Sequence, residues 1–369
     1  MSRRGAWSIA AAAGAAGVLA LGAAAAAATA TTGSATAPKW RITKSVKTNQ
    51  FGEFTAVVAT GKTTGWAFDG DGFDLAATAY QLSGGTWKKA PFPSKPGEEV
   101  ITAAATSPAD VWAFTQGTGA PMGTPSRVLH YNGHAWSVVK TFNDEIEDAS
   151  VLAANDVWVF GMPGYPDAPA LGVWHYNGST WTRLSKTIQG GSALSASDVW
   201  GFAGVDVEHW NGAKWTAISV KSLLPAKSNE ELNDPQVTGI LALSAKNVYA
   251  IGNGTLEDEG GPTVVLHYNG SKWTKLAEGN FGFDAGPEFS SDGSAGLWIP
   301  MFGPVSGSSY LLHYAAGKLT VAALPVAPSK IVVAAVSQIP GTTQQLAAGG
   351  THAAGDFAAD VVAVLLKYS

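Results

Sequence analysis

The sequence predicts an all-β protein, a seven-bladed β-propeller of four-stranded blades whose ring is closed by the N-terminal strand completing the last blade. Three observations predict it. An Asp-Val-Trp element followed by His-Tyr-Asn-Gly-x-x-Trp recurs along the chain in units of about 45 residues. Each unit holds four short strand-like runs separated by turn residues, the pattern of propeller blades. The last unit stops after its third run, and a match to the missing fourth run stands near the N-terminus.

Residues 1–37 precede the first strand and read as a targeting segment. Arg3 and Arg4 form a short basic start, and an Ala/Gly/Leu/Val stretch follows from Ala6 to Ala28. Small residues then offer cleavage after Ala30 or after Ala37, which makes 1–37 a signal peptide and predicts a secreted, extracellular protein. The apolar run is also long enough to act as an uncleaved anchor. No later stretch has that character, so no transmembrane segment is expected once the signal is removed. Residues 38–369 form the propeller domain.

Within each unit, strand A is small and apolar, as in Ile101 to Thr106 or Thr238 to Leu243. Strand B begins at the Asp-Val-Trp element, after Ser-x-x-Asp or Ala-x-x-Asn turn chemistry. Strand C is β-branched and aromatic, as in Val264-Val265-Leu266-His267-Tyr268. Asn-Gly then predicts a tight hairpin with positive φ, and strand D starts at the following Trp. The strand-D position holds Trp40, Trp87, Trp136, Trp181, Trp215, Trp273 and Leu319, and the strand-B position Trp66, Trp112, Trp158, Trp200, Tyr249, Trp298 and Leu346, so both counts give seven. Lys39-Trp40-Arg41-Ile42-Thr43-Lys44 matches Lys272-Trp273-Thr274-Lys275-Leu276 and supplies strand D of the last blade. Such closure removes the unpaired edges that an open ring would expose.

Composition narrows the function classes. The net charge of −5 gives no basic surface for nucleic acid. The absence of cysteine removes disulfides, thiolate metal sites and a cysteine nucleophile. Beyond the first 37 residues the only arginines are Arg41, Arg127 and Arg183, which are too dispersed to clamp a substrate carboxylate.

The Asp-Val-Trp and His-[Tyr/Trp]-Asn-Gly-x-x-Trp pattern resembles the propeller repeats of secreted bacterial proteins, actinobacterial ones in particular. These are similar in architecture to the kelch and galactose-oxidase-like propellers. The resemblance spans Lys39 to Ser369 and implies the fold, whereas propellers host many activities. The kelch double glycine is missing, and so is the Cys that a galactose-oxidase-like Tyr–Cys copper site would need. Ser290-Ser291-Asp292-Gly293 with Trp298 is similar to a sialidase Asp-box, with one residue too many before the Trp.

Five histidines, His130, His175, His209, His267 and His313, share one repeat position and are therefore spread around the ring, which points to a structural role. The carboxylates are more informative. Nearly all fall in or beside the B–C and D–A loops, which share one face of a propeller. Candidate ligand-binding residues are Asp69, Asp71, Asp74, Asp144, Glu145, Glu257, Asp258 and Glu259. Asp69, Asp71 and Asp74, spaced by glycines, are the candidate metal ligands, and calcium is the one cofactor offered. Long loops at 116–126, 161–170, 220–235 and 253–262 would rim the same face. No motif identifies a catalytic residue. The expected function is a secreted, non-catalytic binding or scaffold module using this acidic face, a monomer whose partner is an extracellular protein or glycan. The alternative is a carbohydrate-active enzyme or lectin using carboxylates at the mouth of the central channel.

Overall fold

The computed structural model describes residues 37–48, 52–70, 76–117, 125–161, 171–225, 235–254, 262–281, 284–285, 288–302, 309–325, 330–352 and 362–369. Pro38–Ser369 is one compact unit. It contains seven antiparallel sheets, six of four strands and one with an extra short pairing, so the all-β seven-bladed propeller is observed.

Blade 2 shows the common plan. Its strands A to D are Glu98–Ser107, Asp110–Gly117, Ser126–Tyr131 and Trp136–Phe142. Strand B lies against neighbouring blades on both faces, so it reads as a continuous apolar run and is buried from Val111 to Thr115. Strand D is half-buried or exposed except at its last residue, Phe142. The register keeps the repeat positions aligned in every blade. Trp112 faces His130, and Tyr131 faces Trp136. Trp66 likewise faces Gln81, and Leu346 faces Lys367 in the blade where the pattern is weakest.

The Asn-Gly hairpins differ from the tight turn the sequence suggests. The loop spans four residues, Asn132 to Ala135, because Tyr131 pairs with Trp136. Only the glycine takes positive φ, 90° at Gly133. Asn132 serves through its side chain instead: Oδ1 accepts the amides of His134 and Ala135, each at 3.0 Å. Asn177, Asn211 and Asn269 repeat this.

The ring closes as the sequence predicts. Trp40–Lys47 pairs with Val362–Tyr368, making the order of blade 7 first strand, last strand, Gln345–His352, Lys330–Gln338. Trp40 is buried edge-on against Trp298 of blade 6 at 5.2 Å. Arg41 donates to the Ser369 carbonyl at 2.9 Å.

Hydroxyls tie adjacent inner strands across the blade seams. Thr55 Oγ1 donates to the Val100 carbonyl at 2.8 Å. Ser150, Ser192, Ser290 and Ser337 accept the amides of Ala193, Ala242, Gln338 and Ala59 at 3.0–3.1 Å. These bonds satisfy inner-strand amides that face a neighbouring blade rather than a sheet partner.

Candidate functional site at the channel mouth

The inner strand of every blade starts on the D–A and B–C face, so its first residues surround one mouth of the central channel. Four blades place a carboxylate there, while blade 7 opens its inner strand with Lys330, whose ammonium lies over the Tyr310 ring at 4.4 Å. Glu53 opens strand A of blade 1, Glu99 is second in that of blade 2, and Asp148 opens that of blade 3, Asp148–Ala153. In blade 6 the inner strand is split into Asp284–Ala285 and Ser290–Ser291, both paired with Leu297–Phe302, and Glu288 lies between the two pieces.

Burial and mutual repulsion dominate the electrostatics. The Glu99 carboxyl is raised to about 7, first by burial and then by Glu53. Glu147 is raised to about 7 by burial and by Glu145. Burial raises Glu288 to about 7 against a hydrogen bond from Thr102 of blade 2. Asp148 is pushed well above the usual carboxylate range by burial and then by Glu288. The other charges acting on Glu99, Glu147 and Asp148 are carboxylates, so repulsion adds to burial in favouring the protonated form.

Asp148 is held firmly. Its Oδ2 accepts the Gly191 amide at 3.1 Å, and its Oδ1 accepts its neighbour Ala149's at 2.7 Å. The position of Gly191 admits no side chain, since a Cβ there would lie 2.3 Å from the Phe160 ring. Blades 3 and 4 are thus joined through the carboxylate that faces Glu288.

The candidates read from sequence are distributed differently. Asp144 and Glu145 are half-buried in the D–A connection of blade 3, where Glu145 acts on Glu147. Asp69 lies buried within strand Thr64–Gly70, its backbone in register with Phe54 and Thr78. Asp71, Asp74, Glu257, Asp258 and Glu259 lie outside the described residues, as do most residues of the four long loops. Among the described residues no three carboxylates or histidines are arranged to hold a metal ion. Glu98, an acidic-face residue by sequence, turns inward and forms a buried ion pair with Arg127, whose Nη2 also reaches the Pro93 carbonyl at 2.8 Å.

Glu53 has no place in the sequence-based reading, and Glu99, Asp148 and Glu288 were only part of a broad acidic face. The signal that unites them is their shared position at the start of strand A. In blade 6 a strand interruption obscures that position.

The repeated histidines are structural, as expected. Asp156 Oδ1 meets Trp158 Nε1 at 3.1 Å and His175 Nε2 at 2.8 Å, and the Trp158 and His175 rings stack at 4.2 Å. Blade 2 repeats the clamp through Asp110, Trp112 and His130.

No family model matches the sequence, and no curated protein does. Solved structures match in fold. YCF48 from Cyanidioschyzon merolae aligns with a TM-score of 0.57 at 12% identity, over 89% of this chain and 98% of that one. YCF48 bound to D1 peptide gives 0.55 at 11%, over 89% and 96%. The Niastella koreensis GH74 enzyme gives 0.52 at 11%, over 85% of this chain and 53% of that one. At such identities the likeness extends to the propeller fold alone.

Proposed function

We propose that this propeller is a secreted, non-catalytic binding module that takes a cationic segment of an extracellular protein partner at the acidic mouth of its channel. One observation carries the reading: Glu99, Asp148 and Glu288, from three blades, are half-buried carboxyls that their surroundings hold above the usual range, with Glu53 adding to Glu99, and Glu288 and Glu147 adding to Asp148. A lysine or arginine entering the mouth supplies the missing charge and hydrogen bonds, and charge-assisted bonds of this kind are the strong ones. A rigid ring presenting a concave, preformed site suits such recognition. The peptide-bound YCF48 structure supplies a precedent for a propeller of this shape holding a peptide. Secretion rests on the basic and then apolar segment 1–37, and the repeat type on its likeness to secreted bacterial, kelch-like propellers.

The test is binding of a Lys/Arg-rich peptide to residues 38–369, followed by calorimetry. Binding weakened at least about tenfold by Glu99→Gln with Glu288→Gln, and by added salt, is expected. Equal binding by the double variant would overturn the proposal. The second reading, a carbohydrate-active enzyme or lectin, draws on the same carboxyls, because one held near 7 has the acidity of a general acid. Turnover of a polysaccharide lost with Glu288→Gln would replace the binding-module reading with that one.

A further inference from the structure

A second site lies away from the channel, where the repeat breaks down. In blades 2, 3 and 4 the clamp joins the Asp that opens strand B to a His on strand C, in blade 6 Asp292 reaches His313 from the turn before strand B, and in all four the His stacks on the strand-B Trp. Blade 1 has Thr64 at the Asp position and Gln81 facing Trp66 at the His position. Thr64 Oγ1 is taken by Thr60 at 2.9 Å. The Gln81 amide makes no hydrogen bond to a described residue.

Beside this unclamped Trp66 the structure has a cleft of about 650 Å³ lined by Trp66, Gln81, Phe92, Tyr131, His134 and Trp136, with small apolar residues between them. That volume lies within the range of small-molecule sites, about 300–1,000 Å³. The rings brace one another edge to face. Trp66 and Trp136 stand 5.2 Å apart at 85°, Phe92 and Trp136 5.2 Å apart at 90°, and Trp66 and Tyr131 4.8 Å apart. The walls are therefore fixed before any ligand arrives.

We propose that this cleft between blades 1 and 2 binds a neutral pyranose, the terminal sugar of a glycan. No carboxylate, lysine or arginine lines it, so no permanently charged side chain awaits an ionic ligand there. Aromatic walls ask for a ligand with apolar faces. The Gln81 amide, a donor and an acceptor, and the His134 imidazole ask for one with hydroxyls at its edge. A pyranose presents both. A proline-rich peptide fits less well, because aromatic O–H and N–H groups would have to donate to its carbonyls. Tyr131 Oη already donates to the Gly133 carbonyl at 3.0 Å, and Trp136 Nε1 is enclosed by protein.

The test uses residues 38–369 with glucose, galactose, mannose and N-acetylglucosamine, read by saturation-transfer NMR and titration calorimetry, and with oligoproline as the competing probe. At least one sugar is expected to bind saturably, and Gln81→Ala to weaken it by about tenfold or more. A second variant guards against misfolding. Thr64→Asp with Gln81→His rebuilds the clamp of the other blades, so it is expected to melt no lower than the parent and to lose the sugar. Binding of the basic peptide at the channel mouth is expected to persist in both variants, which separates this site from that one. Failure of all four sugars to bind, retention of binding by the rebuilt clamp, or binding of oligoproline in place of sugar would each overturn the proposal.

Discussion

A single carboxylate oxygen, Asp156 Oδ1, serves both Trp158 Nε1 and His175 Nε2. With the carboxylate as acceptor of both bonds, the histidine donates from Nε2. Asp156→Ala leaves an indole and an imidazole without an acceptor and is expected to cost about 1–3 kcal/mol in urea denaturation. Asp156→Asn keeps an oxygen and should cost less, because blade 5 already uses Asn247 to meet His267 at 2.8 Å. The repeat made all these residues visible in the sequence. Their coupling was not, because the bond depends on strand register, which places residue 158 opposite residue 175. Gln81 stands opposite Trp66 where other blades carry the histidine, but the cleft beside it depends on how blade 2 packs against blade 1.

Among the elements, the closing strand bears the most on stability. Trp40 is buried against Trp298 and Tyr368, linking the first strand to blade 6 and to the last strand at once. Trp40→Ala is expected to cost about 3–5 kcal/mol. Amide exchange should then quicken first in Val362–Tyr368, ahead of the inner strands. Uniform exchange across all blades would contradict closure as the weak point. The strands, the blade count and closure could all be read from the spacing of tryptophans, because burial on both faces forces large apolar residues at fixed positions. The hydroxyl bonds between blades could not, since Ser150 and Ser192 look like ordinary small residues until neighbouring blades bring an amide to each.

At the scale of the whole molecule, the ring brings together residues that the repeat keeps apart, as when Glu288 of blade 6 meets Thr102 of blade 2. This is why the acidic face was legible in the sequence and its focus at the channel mouth was not. The same convergence sets the response to pH. Glu99, Glu147 and Glu288 sit at about 7 against an ordinary value of 4.5, so the folded state holds their protons more tightly than the unfolded chain. Stability therefore rises as pH falls from above 7 toward 4.5, and is lowest where all three are ionised. His267, lowered by burial, opposes this below its ordinary 6.5, where the unfolded chain takes up a proton that the fold resists. Asp148 and Glu208, also raised, act in the same sense as the three glutamates, so the melting temperature is expected to rise from pH 8 to pH 6, and Glu288→Gln to flatten that rise. The most direct test of the channel mouth as a cation site is the proton balance when a Lys/Arg-rich peptide binds at pH 7, measured by calorimetry in buffers of different ionisation enthalpy. A cation among half-protonated carboxyls must displace protons, so net release is expected at pH 7, fading above pH 9. Binding with no proton release at pH 7 would place the peptide elsewhere on the propeller and contradict the account.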